Sequence, residues 1–181
     1  MKTHVLIVSR TFPKKHSKAG QPTYFESKIR LTIDPTIHAI VEPDGEITTD
    51  RKITTIRSNY ELWKKRIDEV NQGIAILSVR YWSGLPYRST QVEICQFKKG
   101  SGIGIEKIYF NNFGIAVLSD ENVAFKYKFF FYMSDMAKND GLSFPDFYEW
   151  FYGYDKTKPM AMIHFTTHRY NIHNLKSICI K

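Results

Sequence analysis

Cysteine is scarce in this chain of 181 residues: there are two, Cys95 and Cys179. They stand far apart and neither belongs to a CxxC pair, which excludes a disulfide framework and a cysteine zinc motif. They read as buried thiols of a reducing compartment, so a cytoplasmic location is expected. No stretch of about twenty apolar residues exists, so no membrane-spanning helix and no membrane partner are expected. The short apolar run in MKTHVLIVSRTF reads as a first strand rather than a signal peptide. HExxH and similar ligand spacings are missing. His164 and His168 are four apart, but they lie in a strand-like run, so no metal and no cofactor are expected. GxSxG is also missing, and no cysteine has a catalytic context. GSGIGIEK (100–107) lacks the GxGxxG spacing and no helical pattern follows it, so it reads as a glycine turn opening a strand. Internal repeats and low-complexity segments are absent.

Hydrophobic residues make up 43% of the chain and aromatics 15%, a globular composition. The length fits one domain, able to bury roughly 70% of its unfolded surface without a staple. Twenty-six Lys and Arg oppose eighteen Asp and Glu, a net charge of +8. Such an excess favours a polyanionic partner, because neutralised phosphates release their counterions. The alternative is a basic but otherwise ordinary surface.

Along the chain, HVLIVS (4–9) reads as a strand and PKKHSKAGQP (13–22) as a basic loop. Tyr24, Phe25, Ile29 and Ile33 suggest a short helix stopped by Pro35. Residues 34–50 read as an insertion whose PDG turn joins a small hairpin. Ser58 and Glu61 have capping-box spacing. Tyr60, Trp63, Ile67 and Val70 then repeat at helical intervals, up to a stop at Gly73. Strands are expected at 74–82, 91–97 and 103–110, with a short one at 115–118. FKYKFFFYM, from 125, fits either a strand or a helix start. Ser143 caps a further helix with Phe144, Phe147 and Trp150 or Phe151 as its stripe. A late strand is expected at 158–166, with a C-terminal extension after 166 and one more strand possible at 170–180. Many short strands with few helices predict an α+β fold, a small mixed β-barrel with flanking short helices.

One stretch has an unusual pattern. RKITTIRSN (51–59) is a short apolar strand with Lys52 at its entry, hydroxyls at its centre and Arg57 at its exit. It is either an amphipathic edge strand, or its polar tips converge on an anion or a base. The loop WSGLPYRSTQ (82–91) adds Trp82, Tyr87 and Arg88, a ring to stack on and a guanidinium to pair with. It reads equally as a hairpin connection capping the core.

Together, RKITTIR and the later AKNDGLSFPDFYEWF resemble the ASCH family of the PUA-like superfold. Lys52, Thr55, Ile56 and Arg57 fall on that family's K-x-x-T-I-R type segment. Asp140, Gly141, Ser143 and Phe147 fall on its acidic-glycine turn and following helix. The resemblance spans roughly 4–166 and is specific at these two segments. It implies a single PUA-like β-barrel domain over 1–181 that binds RNA or a nucleotide or nucleoside in a basic cleft. A subgroup of small ASCH proteins hydrolyses N4-acylated cytidine with a lysine, a threonine and a glutamate. Carried over, these are Lys52, Thr55 and Asp140, with aspartate standing where the subgroup has glutamate.

Three readings follow. As a binding module, Lys52 and Arg57 hold phosphate, Thr55 and Asp140 meet a base edge, and Tyr87 and Arg88 add a ring and a charge. As an amidohydrolase, Thr55 attacks, Lys52 is the base and Asp140 orients it or protonates the leaving amine. In an extended strand, positions 52 and 55 point to opposite faces, so the two meet only if Lys52 precedes the strand or its long stem bends back. As a structural or partner-binding protein, Arg57 and Asp140 form an ion pair across the barrel mouth.

Overall fold

The computed structural model describes residues 1–110, 116–118, 129–155 and 157–170. Cys179, the first residues of the aromatic run at 125–128 and all but the first residue of the strand expected at 170–180 lie outside them. The elements in chain order are β1 (Lys2–Ile7), α1 (Phe25–Ile33), β2 (Ile40–Val41), β3 (Ile47–Thr48), β4 (Thr54–Arg57), α2 (Tyr60–Gln72), β5 (Ala75–Trp82), β6 (Gln91–Phe97), β7 (Gly104–Phe110), β8 (Ala116–Leu118), α3 (Phe129–Asn139), α4 (Phe144–Phe151) and β9 (Met160–His164).

The strands form three sheets, in the orders β1-β5-β6, β2-β3 and β4-β9-β7-β8. β1 and β5 are parallel, joined by the long crossover that carries α1 and α2, as parallel neighbours require. The fold is therefore mixed α+β, and no sheet among the described residues closes into a barrel. β5 runs through the centre of its sheet and is buried over its first five residues, which explains its near-continuous apolar sequence. The β2-β3 hairpin turns at Pro43–Gly45, within the expected insertion.

Each helix follows from its sequence, with some corrections. α1 ends at Asp34, just before Pro35. α2 buries Trp63, Ile67 and Val70. Its cap is Asn59 rather than Ser58: Asn59 sits at φ 62 and its side chain accepts from the Leu62 amide, a left-handed conformation that asparagine tolerates. The aromatic run is helical from Phe129. Ser143 caps α4, accepting from the Asp146 amide. The buried face of α4 carries Asp146, Phe147 and Phe151, whereas Phe144 is 46% exposed. The stripe is rotated because Asp146 turns inward to Lys18, 2.7 Å away, and to its own cap.

The core lies between the two larger sheets and the helices, around Leu6, Ile29, Leu77, Ile108, Phe147 and Met162. The sheets also meet at their margins. Arg57 at the end of β4 donates to the carbonyl of Ile7 in β1 (2.8 Å). Phe97 of β6 stacks on Phe165 just beyond β9 at 5.4 Å.

Candidate functional site

Lys52 lies two residues before β4, so the alternation of the strand does not bind it. Its main chain is held between distant segments. Lys52 N–H donates to Lys28 O of α1, Ile53 N–H to Asn139 O of α3, and Phe165 N–H to Ile53 O. The side chain then runs inward. Its ammonium lies 2.9 Å from Asp140 Oδ1 and 4.0 Å from the centre of the Phe25 ring, and it also donates to the Asp140 carbonyl. Lys52 is 1% exposed and Asp140 3%. The structure thus joins the two segments singled out in the sequence, 88 residues apart.

Asp140 owes its position to the end of α3. Gly141 follows at φ +76, where a Cβ would approach both Lys52 Cβ and Lys28 Cδ to 3.2 Å. Glycine is needed here for its left-handed backbone and for its lack of bulk. Lys28 Nζ caps the turn by donating to Gly141 O at 2.7 Å.

The electrostatics follow from burial. Desolvation pushes Lys52 down to about 8, against the pull of Asp140, while Arg57 and Lys28 add to the depression. Desolvation likewise raises Asp140, opposed by Lys52 and Arg57. Although Lys52 stands close, Asp140 Oδ1 makes no well-directed hydrogen bond. Arg57 does not form the ion pair with Asp140 that the structural reading expected. Its guanidinium donates to the Ile56 and Ile7 carbonyls, and its charge acts on Asp140 through space. Asp140 is therefore the carboxylate that faces Lys52, against two neighbouring cations.

Thr55 is also buried, but on the strand face opposite Thr54 and Ile56. No hydrogen bond joins its hydroxyl to Lys52 or Asp140 among the described residues, although the Asp140 carboxylate accepts from the backbone amide of the next residue, Ile56. Tyr87 and Arg88 lie on the β5-β6 connection. Tyr87 is 89% exposed at φ 63, and its ring lies 5.4 Å from that of Trp82. Neither residue contacts Lys52, Thr55 or Asp140 among the described residues. The basic loop at 13–22 is partly neutralised: Lys18 pairs with Asp146, and Ser17 bonds Glu149 through its amide and hydroxyl.

A second polar cluster was not visible in the sequence. His164 in β9 lies directly opposite Thr54 in β4. The Phe165–Ile53 hydrogen bond makes theirs a non-hydrogen-bonded pair, the kind with the closest side chains. His164 Nε2 is 2.6 Å from Glu106 Oε2, and Glu106 also accepts from the Tyr170 amide at 3.1 Å. The Thr54 hydroxyl and both His164 nitrogens are buried without a directed hydrogen bond. Desolvation lowers the His164 pKa; at Glu106 desolvation works against the charge, but His164, the Tyr170 amide and Arg169 together hold its pKa below the usual glutamate value. Only Thr54 lies in the stretch that drew attention in the sequence. Its position opposite His164 is set by strand register.

Among the described residues, no group of three or more His, Cys, Asp or Glu is placed to hold a metal ion, and no helix is long and apolar enough to cross a membrane. No protein family, no curated protein and no solved structure matches the chain.

Proposed function

We propose that the chain is an ASCH-type, PUA-like domain that binds RNA or a nucleotide through the cationic cluster around Lys52. The observation that carries this reading is the charge imbalance there: Lys52 contacts one carboxylate, Asp140, while Arg57 acts on that same group only through space and has no salt bridge of its own among the described residues, in a protein of net charge +8. Buried charge is costly unless matched, and a phosphate oxygen supplies the missing negative partner. The barrel is part of the proposal. Its support is the Arg57–Ile7 bond and the Phe97–Phe165 stack, which bring the margins of the two sheets together. Thr55, Tyr87 and Arg88 enter as secondary contacts, the last two as an exposed stacking and pairing tip.

The test is binding of a labelled single-stranded RNA at 50 and 200 mM salt, with free nucleotides as competitors. Engagement of about three phosphates predicts a loss of affinity on the order of tenfold or more between the two salts. The variant Lys52→Met/Asp140→Asn, which leaves no buried charge at this pair, should lose most of that affinity while remaining folded. A flat salt response, or an unchanged affinity in the variant, would overturn the reading.

One observation favours a second reading. A lysine brought down to about 8 is partly neutral near pH 8 and so fits a general base. As an amidohydrolase, the site would release cytidine from N4-acetylcytidine, with Lys52 as base and Thr55 as nucleophile. The expected rate then rises as pH passes 8, and Asp140→Glu, restoring the subgroup's acid, raises it further. Absence of cytidine release by both proteins removes this reading and leaves the binding one standing.

A further inference from the structure

A cavity of about 230 Å³ lies between the first turn of α1 and the β2-β3 turn. It is smaller than the roughly 300–1,000 Å³ pockets that hold drug-sized ligands, so it suits a head group rather than a nucleotide. Its walls include Arg10, Tyr24, Phe25, Ser27, Glu42 and Asp44. Of the three carboxylates on its wall, Glu26 is paired with Arg30, whereas Glu42 meets Lys28 only through space and Asp44 meets no cation in a salt bridge. Glu42 accepts from the Thr48 hydroxyl at 2.7 Å and Asp44 from the Tyr24 hydroxyl at 2.6 Å, and among the described residues neither is in a salt bridge. The cation on the wall is turned elsewhere: Arg10 donates to Ser83 O and lies 5.3 Å from the Tyr81 ring.

Ser27 supplies an independent sign of a ligand. It is only 7% exposed, it lines the cavity, and its hydroxyl has no hydrogen-bond partner among the described residues. Tyr24 completes the site. Its hydroxyl is anchored on Asp44, which fixes the ring and pushes its pKa up to about 12, so the phenol stays neutral. A neutral phenol ring beside two carboxylates matches a cation on both counts, through its π face and through N–H···O bonds.

We propose that this cavity binds a small organic cation with N–H donors, of the guanidinium or primary ammonium class. The head group lies against the Tyr24 ring, donates to Glu42 and Asp44, and satisfies Ser27 Oγ. This goes beyond the nucleotide reading and does not depend on it.

The probe is methylguanidinium, titrated into the full chain and followed by NMR at Tyr24 and Ser27, with sodium chloride matching the ionic strength. Saturable shifts that sodium does not reproduce are expected. Tetramethylammonium, a cation without N–H donors, should bind about tenfold more weakly. Glu42→Gln/Asp44→Asn should weaken methylguanidinium at least tenfold, and Ser27→Val, which narrows the cavity and removes the hydroxyl without changing charge, should do the same. RNA binding and thermal midpoint are measured alongside; both should stay at wild-type values in these variants. No saturable shift in the wild type, or equal affinity in both folded variants, would overturn the proposal whatever the RNA assay shows.

Discussion

At the scale of the residue, Lys52 carries the most unusual chemistry in the chain. Its burial brings its pKa from the usual lysine value to about 8, whereas an unfolded lysine holds its proton to roughly 10.4. Between these values the unfolded state binds the extra proton, so stability rises with pH across that window. Below pH 8 both states are protonated and this contribution is flat. Asp140 acts at the other end. Its raised pKa means the folded state keeps the proton longer, so its contribution falls as pH rises through the carboxylate range. The urea midpoint of the wild type should therefore increase from pH 8 to pH 9.5, with a slope of up to about 1.4 kcal/mol per pH unit from Lys52. Lys28, lowered in the same sense by desolvation, adds a smaller rise. Lys52→Met should lose most of this slope; an unchanged slope would show that the ammonium is solvated rather than buried.

At the scale of the element, what was legible depended on whether the signal was local. β6 matches its expected bounds, Gln91–Phe97, because its apolar run lies between two turns. α2 was readable from Trp63, Ile67 and Val70, since an i, i+4, i+7 stripe has one folded meaning. The cap of α4 was readable because Ser143 acts on an amide three residues away. The errors arise where a distant partner intervenes. Phe144 was displaced from the buried stripe by Asp146, whose partner Lys18 lies 128 residues away. The Lys52–Asp140 pair was reachable only through the resemblance of two segments to a family, because no periodicity links β4 to the end of α3. The Glu106–His164 pair and the small cavity were beyond reach, since each exists only once register or turn packing has been set.

At the scale of the whole molecule, residues 51–57 form a junction where α1, α3, β1 and β9 are tied together by Lys52, Ile53 and Arg57. The ion pair at that junction therefore bears on stability as well as on ligand binding, and the two roles can be separated. Breaking a buried pair by removing one partner leaves an uncompensated charge and costs about 3–5 kcal/mol, whereas replacing both is often close to neutral. Asp140→Ala alone should thus lower stability by about 3–5 kcal/mol in urea unfolding at pH 7. Lys52→Met/Asp140→Asn should recover more than half of that loss, with a coupling energy of at least about 1 kcal/mol, as expected for residues in direct contact. If the pair only braces the fold, the double variant binds RNA as the wild type does. If it is the site, the double variant is folded and does not bind, and this split between stability and affinity distinguishes a functional lysine from a structural one.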